Sequence, residues 1–340
     1  MSRRNNRQPH VLILRFSALG DVAMTLPVIY SVARAYPEVR FTVATREFFA
    51  KLFINPPENV EVLGLDMKNK YRGLMGLRRL CLRLAQLRPT AVADLHNVAR
   101  TWVIDTFFRL KGVRTVMVDK MRSSRRRMLR DKVQQKSFVD RYAEVFARLG
   151  YPADLTFRSV FAGTEAVPPV DVRHPSVGIA PFARYYNKTY PPERMRKVAE
   201  ILCRKGINVY LFGARGKEAE ELRQWAGEIR GCESMAGEFT LPEEMAAMSA
   251  MDLMVSMDSA NQHLAALTGT KVLTIWGSTT PACGFTAYGN ADPSSAICLG
   301  LDCQPCTVAG SPTCPRGHLD CMCLIDPQSV ASRIESMIKS

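Results

Sequence analysis

Short apolar runs of strand length alternate with amphipathic helical stretches along the whole chain, the pattern of parallel sheets assembled from strand–helix–strand units. In the first half, residues 11–16, 41–44, 60–65, 91–95 and 115–118 predict five strands. Between the third and fourth, Leu74, Leu77, Leu80, Cys81, Leu84 and Leu87 recur at three- and four-residue steps. They predict a helix with one apolar stripe and arginines opposite. A helix over 138–149 follows, and then residues 150–175, which hold four prolines and no helical period, mark a crossing between domains. The alternation resumes with strands at 177–180, 209–212, 252–256 and 272–276 and helices near 192–205, 217–228, 242–251 and 261–268. Asp326-Pro327 joins an N-cap carboxylate to a proline at the first helical position, so 327–339 is expected to be a closing helix. The expected α/β domains are 1–160 and 161–325, with 326–340 as the terminal helix.

A length of 340 residues suits two cores, and 47% hydrophobic with 23% charged residues excludes a disordered or fibrous chain. The apolar run at 11–16 is too short for a signal-peptide core or a membrane span, so a cytoplasmic protein is expected. The net charge of +14 is uneven. Residues 1–160 carry 30 Lys/Arg against 13 Asp/Glu, a net +17; residues 161–340 carry 16 against 19, a net −3. The densest stretch, 109–136, includes Arg122, Arg125, Arg126, Arg127, Arg130 and Lys132. Such a face suits nucleic acid, an anionic membrane surface or a phosphorylated acceptor, and equally a solvated loop.

Ligands of open parallel sheets bind beyond the carboxyl ends of the strands, so the residues there come first. After the first strand, Ser17-Ala18-Leu19-Gly20 leads to Asp21, whose carboxylate suits either a helix cap or a general base for an attacking hydroxyl. In the second half, Asp258-Ser259-Ala260-Asn261-Gln262-His263 ends a strand and begins a helix, a place where free backbone N–H groups suit a diphosphate. Lys188 offers a point charge to the same phosphates. Gly213 admits close backbone approach, and Glu218 five residues on offers a carboxylate to ribose hydroxyls. His96 follows a strand and suits either the acceptor side of a cleft or local satisfaction in a loop. The first turn lacks Gly-x-Gly-x-x-Gly, which disfavours a Rossmann oxidoreductase.

These segments together resemble the ADP-heptose:lipopolysaccharide heptosyltransferases, glycosyltransferase family nine. The resemblance runs from Ser17-Ala18-Leu19-Gly20-Asp21-Val22 with Thr25-Leu26-Pro27, through Lys188 with Tyr190-Pro191-Pro192-Glu193 and Gly213 with Glu218, to Asp258-Ser259 with His263-Leu264-Ala265-Ala266 and Gly277-Ser278-Thr279-Thr280-Pro281. It implies a GT-B architecture of two facing Rossmann-like domains and inverting transfer of a sugar, heptose from ADP-heptose, to a lipopolysaccharide core or lipid A acceptor. It implies Asp21 as catalytic base, and Lys188, Gly213, Glu218, Asp258, Ser259, Ala260 and His263 as donor-binding residues. It further implies no cofactor, no catalytic metal, an anionic glycolipid on the basic N-terminal domain and peripheral contact with the inner membrane; nucleic acid fits the charge equally well, but no recognised nucleic-acid module accompanies it, so none is expected. Two positions depart from the family pattern: Ala260 stands where glycine is usual and Thr280 where aspartate is. A nucleotide-sugar epimerase of the same architecture and a nucleic-acid-binding protein are the alternatives.

Six of ten cysteines fall late, and Cys303-x-x-Cys306 with Cys314, His318 and Cys321 has spacing that suits either a structural zinc site or free packed thiols. Cys81 and Cys203 are expected in helix-packed core, as are the methionines between 235 and 257.

Overall fold

The five apolar runs of the first half become one sheet because helices cover both of its faces. The computed structural model describes residues 8–123, 125–290 and 292–339. Its elements begin β1 (His10–Leu14), α1 (Leu19–Ala23), α2 (Leu26–Ala35), β2 (Arg40–Arg46), α3 (Glu47–Ala50), β3 (Val60–Leu65), α4 (Gly73–Gln86), β4 (Ala91–Asp94), α5 (Ala99–Leu110) and β5 (Arg114–Met117). Then come α6 (Arg125–Asp131) and α7 (Phe138–Leu149). The strands pair in parallel in the order β3-β2-β1-β4-β5. β1 and β4 are buried at every position, as central strands of a two-sided parallel sheet must be. Leu12, Leu14, Val92, Ile104 and Phe108 share one core with Leu80 and Leu84 of α4.

The second sheet follows the same plan. Its elements are β6 (Ser176–Ala180), α8 (Pro192–Arg204), β7 (Asn208–Leu211), α9 (Lys217–Glu228), β8 (Cys232–Ser234), α10 (Leu241–Ser249), β9 (Leu253–Met257), α11 (Ala260–Thr268), β10 (Val272–Ile275), β11 (Ala296–Ile297), α12 (Asp320–Cys323) and α13 (Pro327–Lys339). All strands are parallel, in the order β11-β10-β9-β6-β7-β8. The closing helix α13 packs on α8, and the Tyr190 hydroxyl donates to the Ile325 carbonyl at 2.9 Å. All six methionines between 235 and 257 are buried.

The chain divides into two compact units. One holds the residues up to Met121 with Phe138–Val160; the other holds Arg122–Ser137 and everything from Phe161 on. The basic stretch is therefore split. With Arg122–Ser137 (seven Lys/Arg, one Asp/Glu) assigned to the second unit, the units carry 23 Lys/Arg against 12 Asp/Glu, or +11, and 23 against 20, or +3. Backbone bonds tie that segment in place: Gln135 N–H donates to the Ala282 carbonyl at 2.9 Å. Two expectations about buried faces change. Leu74 lies off the buried stripe of α4 and is exposed, and Cys203 is only partly buried. Among the described residues, no helix is long and apolar enough to cross a membrane.

Candidate active site

Each sheet reverses its strand order once, between β1 and β4 in the first unit and between β6 and β9 in the second. At such switch points the connections diverge to opposite sides and leave a crevice at the strand ends. The catalytic and donor-binding residues expected from the sequence all follow β1, β6, β7 or β9, on loops or in the first turn or so of the next helix, and His96 follows β4.

In the first unit β1 ends at Leu14 and Arg15 follows directly, buried. Its guanidinium donates through Nη1 to the Leu95 carbonyl at 2.5 Å and pairs through Nη2 with Asp21 Oδ1 at 2.7 Å. The other carboxylate oxygen of Asp21 accepts the Ala18 N–H at 3.1 Å, so Asp21 also caps its own helix α1. Cap and charged site residue are thus one group. The Ser17 hydroxyl lies 3.1 Å from His96 Nε2 on the loop after β4, bringing together two strand ends 79 residues apart in sequence. Burial, reinforced by Arg15 and Lys120, lowers the His96 imidazole to about 3, so the ring is neutral at physiological pH.

The His96 loop has its own support. Asp94 Oδ1 accepts the N–H groups of His96 and Asn97 at 2.8 and 2.9 Å. Asp94 and Asp105 are both fully buried. Burial and the adjacent Asp94 push the Asp105 carboxyl up to about 8, because two carboxylates cannot both be charged there. Asp105 is accordingly protonated at neutral pH.

In the second unit Lys188 Nζ pairs with Asp258 Oδ2 at 2.7 Å. Asp258 also accepts from Thr279 Oγ1 at 2.5 Å and from Gln262 Nε2 at 3.1 Å, so three neighbours fix a nearly buried carboxylate. Ser259 is the N-cap of α11 and accepts from Asn261 N–H at 3.4 Å. Ala260 is the first residue of that helix, with its N–H at the open end, and its methyl group fits an ordinary helical position. His263 lies further along α11 and is buried. In the loop after β7, Gly213 is crowded: a Cβ there would stand 2.8 Å from Leu222 Cδ1, so that side chain would have to shift. Glu218 uses Oε2 to accept the Ala214 N–H at 2.8 Å, and Oε1 has no partner among the described residues.

Sequence reasoning missed what holds Lys188. Asn187, fully buried, donates from Nδ2 to Ser311 Oγ at 2.8 Å and to the Thr313 carbonyl at 3.1 Å, while its Oδ1 accepts the Ser311 N–H at 3.0 Å. Its backbone carbonyl accepts Ser278 N–H at 2.9 Å. Gln304 Nε2 donates to the Gly277 carbonyl at 2.6 Å, and the N–H groups of Cys306 and Thr307 reach the Ser278 carbonyl. Residues 304–313 therefore clasp the loops that carry Lys188 and Thr279. Gly310, at φ +94°, permits the closest approach; a Cβ there would lie 2.5 Å from Lys188 Cδ.

The late cysteines lie on and beside this clasp. Burial and the neighbouring Cys306, Cys303 and Cys314 push the Cys321 thiol up to about 12, whereas His318 Nδ1 accepts the Asp320 N–H at 3.0 Å. Among the described residues, no group of three or more His, Cys, Asp or Glu side chains is arranged to hold a metal ion.

Two all-parallel sheets covered by helices, one in each unit, are the architecture of the GT-B class of glycosyltransferase. Residues 83–315 match the model of glycosyltransferase family 9 (heptosyltransferase), and the chain belongs to that family. Lipopolysaccharide heptosyltransferase 1 of Pseudomonas aeruginosa is 26% identical over 358 aligned positions, covering 96% of this chain and 98% of the relative. The structure of E. coli heptosyltransferase WaaC with ADP superposes with a TM-score of 0.69 at 19% identity, covering 96% of this chain and 99% of that one. E. coli ADP-heptose lps heptosyltransferase II gives 0.66 at 17%, covering 97% and 98%. The fold is shared with both.

Proposed function

We propose that this glycosyltransferase moves a heptosyl group from ADP-heptose to a hydroxyl of an anionic lipopolysaccharide core or lipid A acceptor, inverting the anomeric centre. The observation that carries the reading is the Lys188–Asp258 pair beside the open start of α11, a fixed cation next to free backbone N–H groups. The names of the relatives supply ADP and heptose as the donor class. In the reaction the acceptor oxygen attacks the anomeric carbon and its proton passes to Asp21. The bond from that carbon to the diphosphate oxygen breaks, and its electron pair leaves with ADP. Lys188 and the N–H groups at Ser259 and Ala260 take the developing negative charge. Oε1 of Glu218 takes a ribose hydroxyl, Gly213 keeps the backbone close to the nucleotide, and His263 supports the α11 end of the donor site. Arg15 positions the Asp21 carboxylate, and burial leaves the His96 imidazole a weak base. A single displacement with one base inverts the centre and calls for no cofactor or metal. The acceptor is assigned to the first unit, at the inner face of the membrane and in peripheral contact with it.

A thermal-shift panel of ADP-, UDP- and GDP-sugars tests the donor, because a ligand bound to the native state raises Tm by mass action. ADP-heptose is expected to give the largest shift, and its transfer to a heptose-deficient lipopolysaccharide acceptor is expected by mass spectrometry. A larger shift with UDP- or GDP-sugars, or a sugar isomer formed from donor alone, would overturn the reading; the isomer would indicate an epimerase.

A further inference from the structure

α4 turns the wrong face outward for an ordinary solvated helix. It buries Gly76, Leu80, Cys81 and Leu84 and leaves Leu74 87%, Met75 60% and Leu82 51% exposed. Exposed Arg78, Arg79 and Arg83 interleave with them. The six positions recur one and four residues apart, so they form one outward stripe from 74 to 83 along the 14-residue helix. None of the three arginines forms an ion pair among the described residues, and Arg83 is bonded only to the neutral Gln86. From 68 to 93 the chain holds seven Lys/Arg and not one Asp/Glu. A helix shaped only by water carries carboxylates to pair such arginines and keeps its leucines inward.

We propose that this face of α4 docks flat on an anionic lipid bilayer, with Leu74, Met75 and Leu82 at the headgroup–acyl boundary and the arginines among the lipid phosphates. Two independent features select this occupant. Uncompensated positive charge complements an anionic leaflet, and exposed apolar side chains gain from the hydrocarbon beneath it. A nucleic acid would satisfy the arginines and leave the leucines in water. The inference places on one helix the membrane contact proposed above, yet it uses no residue of the donor or base sites. Either can therefore fail alone.

Co-sedimentation of the full chain with phosphatidylethanolamine–phosphatidylglycerol vesicles, against phosphatidylcholine vesicles, tests it. Binding to the anionic vesicles is expected to be at least about tenfold tighter and to weaken with salt. The triple variant Leu74→Ser, Met75→Ser, Leu82→Ser is expected to lose about tenfold in binding and to come off completely at high salt. The variant Arg78→Gln, Arg79→Gln, Arg83→Gln is expected to lose the preference for anionic vesicles. Both should keep the helical circular dichroism and the Tm shift with ADP, which separates docking from folding and from donor binding. Wild-type indifference to phosphatidylglycerol would overturn the proposal. So would wild-type binding by both variants, or RNA binding that the arginine variant loses while the leucine variant keeps its vesicle binding.

Discussion

The two units place the same kind of ion pair at the same place in the same kind of sheet, but with opposite polarity. In the first, the cation is behind and the acid in front: the side chain of Arg15 is 3% exposed and that of Asp21 29%. In the second, the acid is behind and the cation forward: Asp258 is 6% exposed and Lys188 13%. A pair near a surface presents the charge of its outer member, while the inner member fixes the direction and offsets the desolvation cost. One scaffold thus offers a carboxylate suited to a proton and the other an ammonium suited to a diphosphate. Repeating a fold does not repeat its chemistry; which partner of the pair lies deeper decides it.

The sharpest way to break this comparison is to neutralise each outer charge. Asp21→Asn keeps the shape and removes the proposed base, so transfer is expected to fall about 10²- to 10⁴-fold while the Tm shift with ADP is unchanged. Loss of ADP binding in that variant would erase the division of labour. Lys188→Met strips the cation and leaves Asp258 buried without its countercharge. ADP affinity measured by calorimetry is expected to drop by about 2–3 kcal/mol, roughly 30- to 150-fold, and wild-type affinity would refute the diphosphate role.

A smaller effect tests the clasp behind Lys188. Gly310→Ala forces a side chain onto a positive φ and against the lysine stem, at a cost of about 1–3 kcal/mol. Donor KM is expected to rise about tenfold, with kcat at saturating donor within about twofold. A fall in kcat at constant KM would show that the clasp serves something other than donor binding.

The last test belongs to the first unit and reads stability, with donor binding and transfer expected to change least. Asp105 is raised from 3.8 to about 8, so the native state holds its proton where the unfolded chain has released it. Its contribution is full below the unfolded value and is lost as pH rises through about 8. Asp105→Asn removes that slope: Tm should match wild type near pH 4 and exceed it progressively as pH rises towards 8. Parallel Tm–pH curves would dismiss the shared proton.

The long β-strands were legible because a period-free apolar run between helices has one common outcome, and 60–65 matches β3 at both ends. β8 and β11, at three and two residues, are too short to carry a pattern. Asp21, Lys188 and Asp258 were visible as charged groups at strand ends and through family resemblance. Arg15 was not singled out, although an arginine directly after an apolar strand run is itself a signal that an acid waits nearby to pair it. Asn187, Thr279 and Gln304 depend on partners brought close only by tertiary folding, which periodicity does not encode. Leu74 failed for another reason: it opens the first turn of α4, where a residue in helical step can lie beyond the edge of the covering sheet.

The clasp from 304 to 313 has a consequence for the order of events in synthesis. A nascent chain that has emerged as far as β10 already contains Lys188, Asp258 and the whole of α11, yet Asn187 has no Ser311 or Thr313 to grip. Because domains fold as their sequence leaves the ribosome, the second unit is expected to acquire its sheet before it acquires affinity for a diphosphate. Nucleotide binding then reports completion of the unit, and ADP added during translation would protect finished chains from protease while leaving shorter ones exposed.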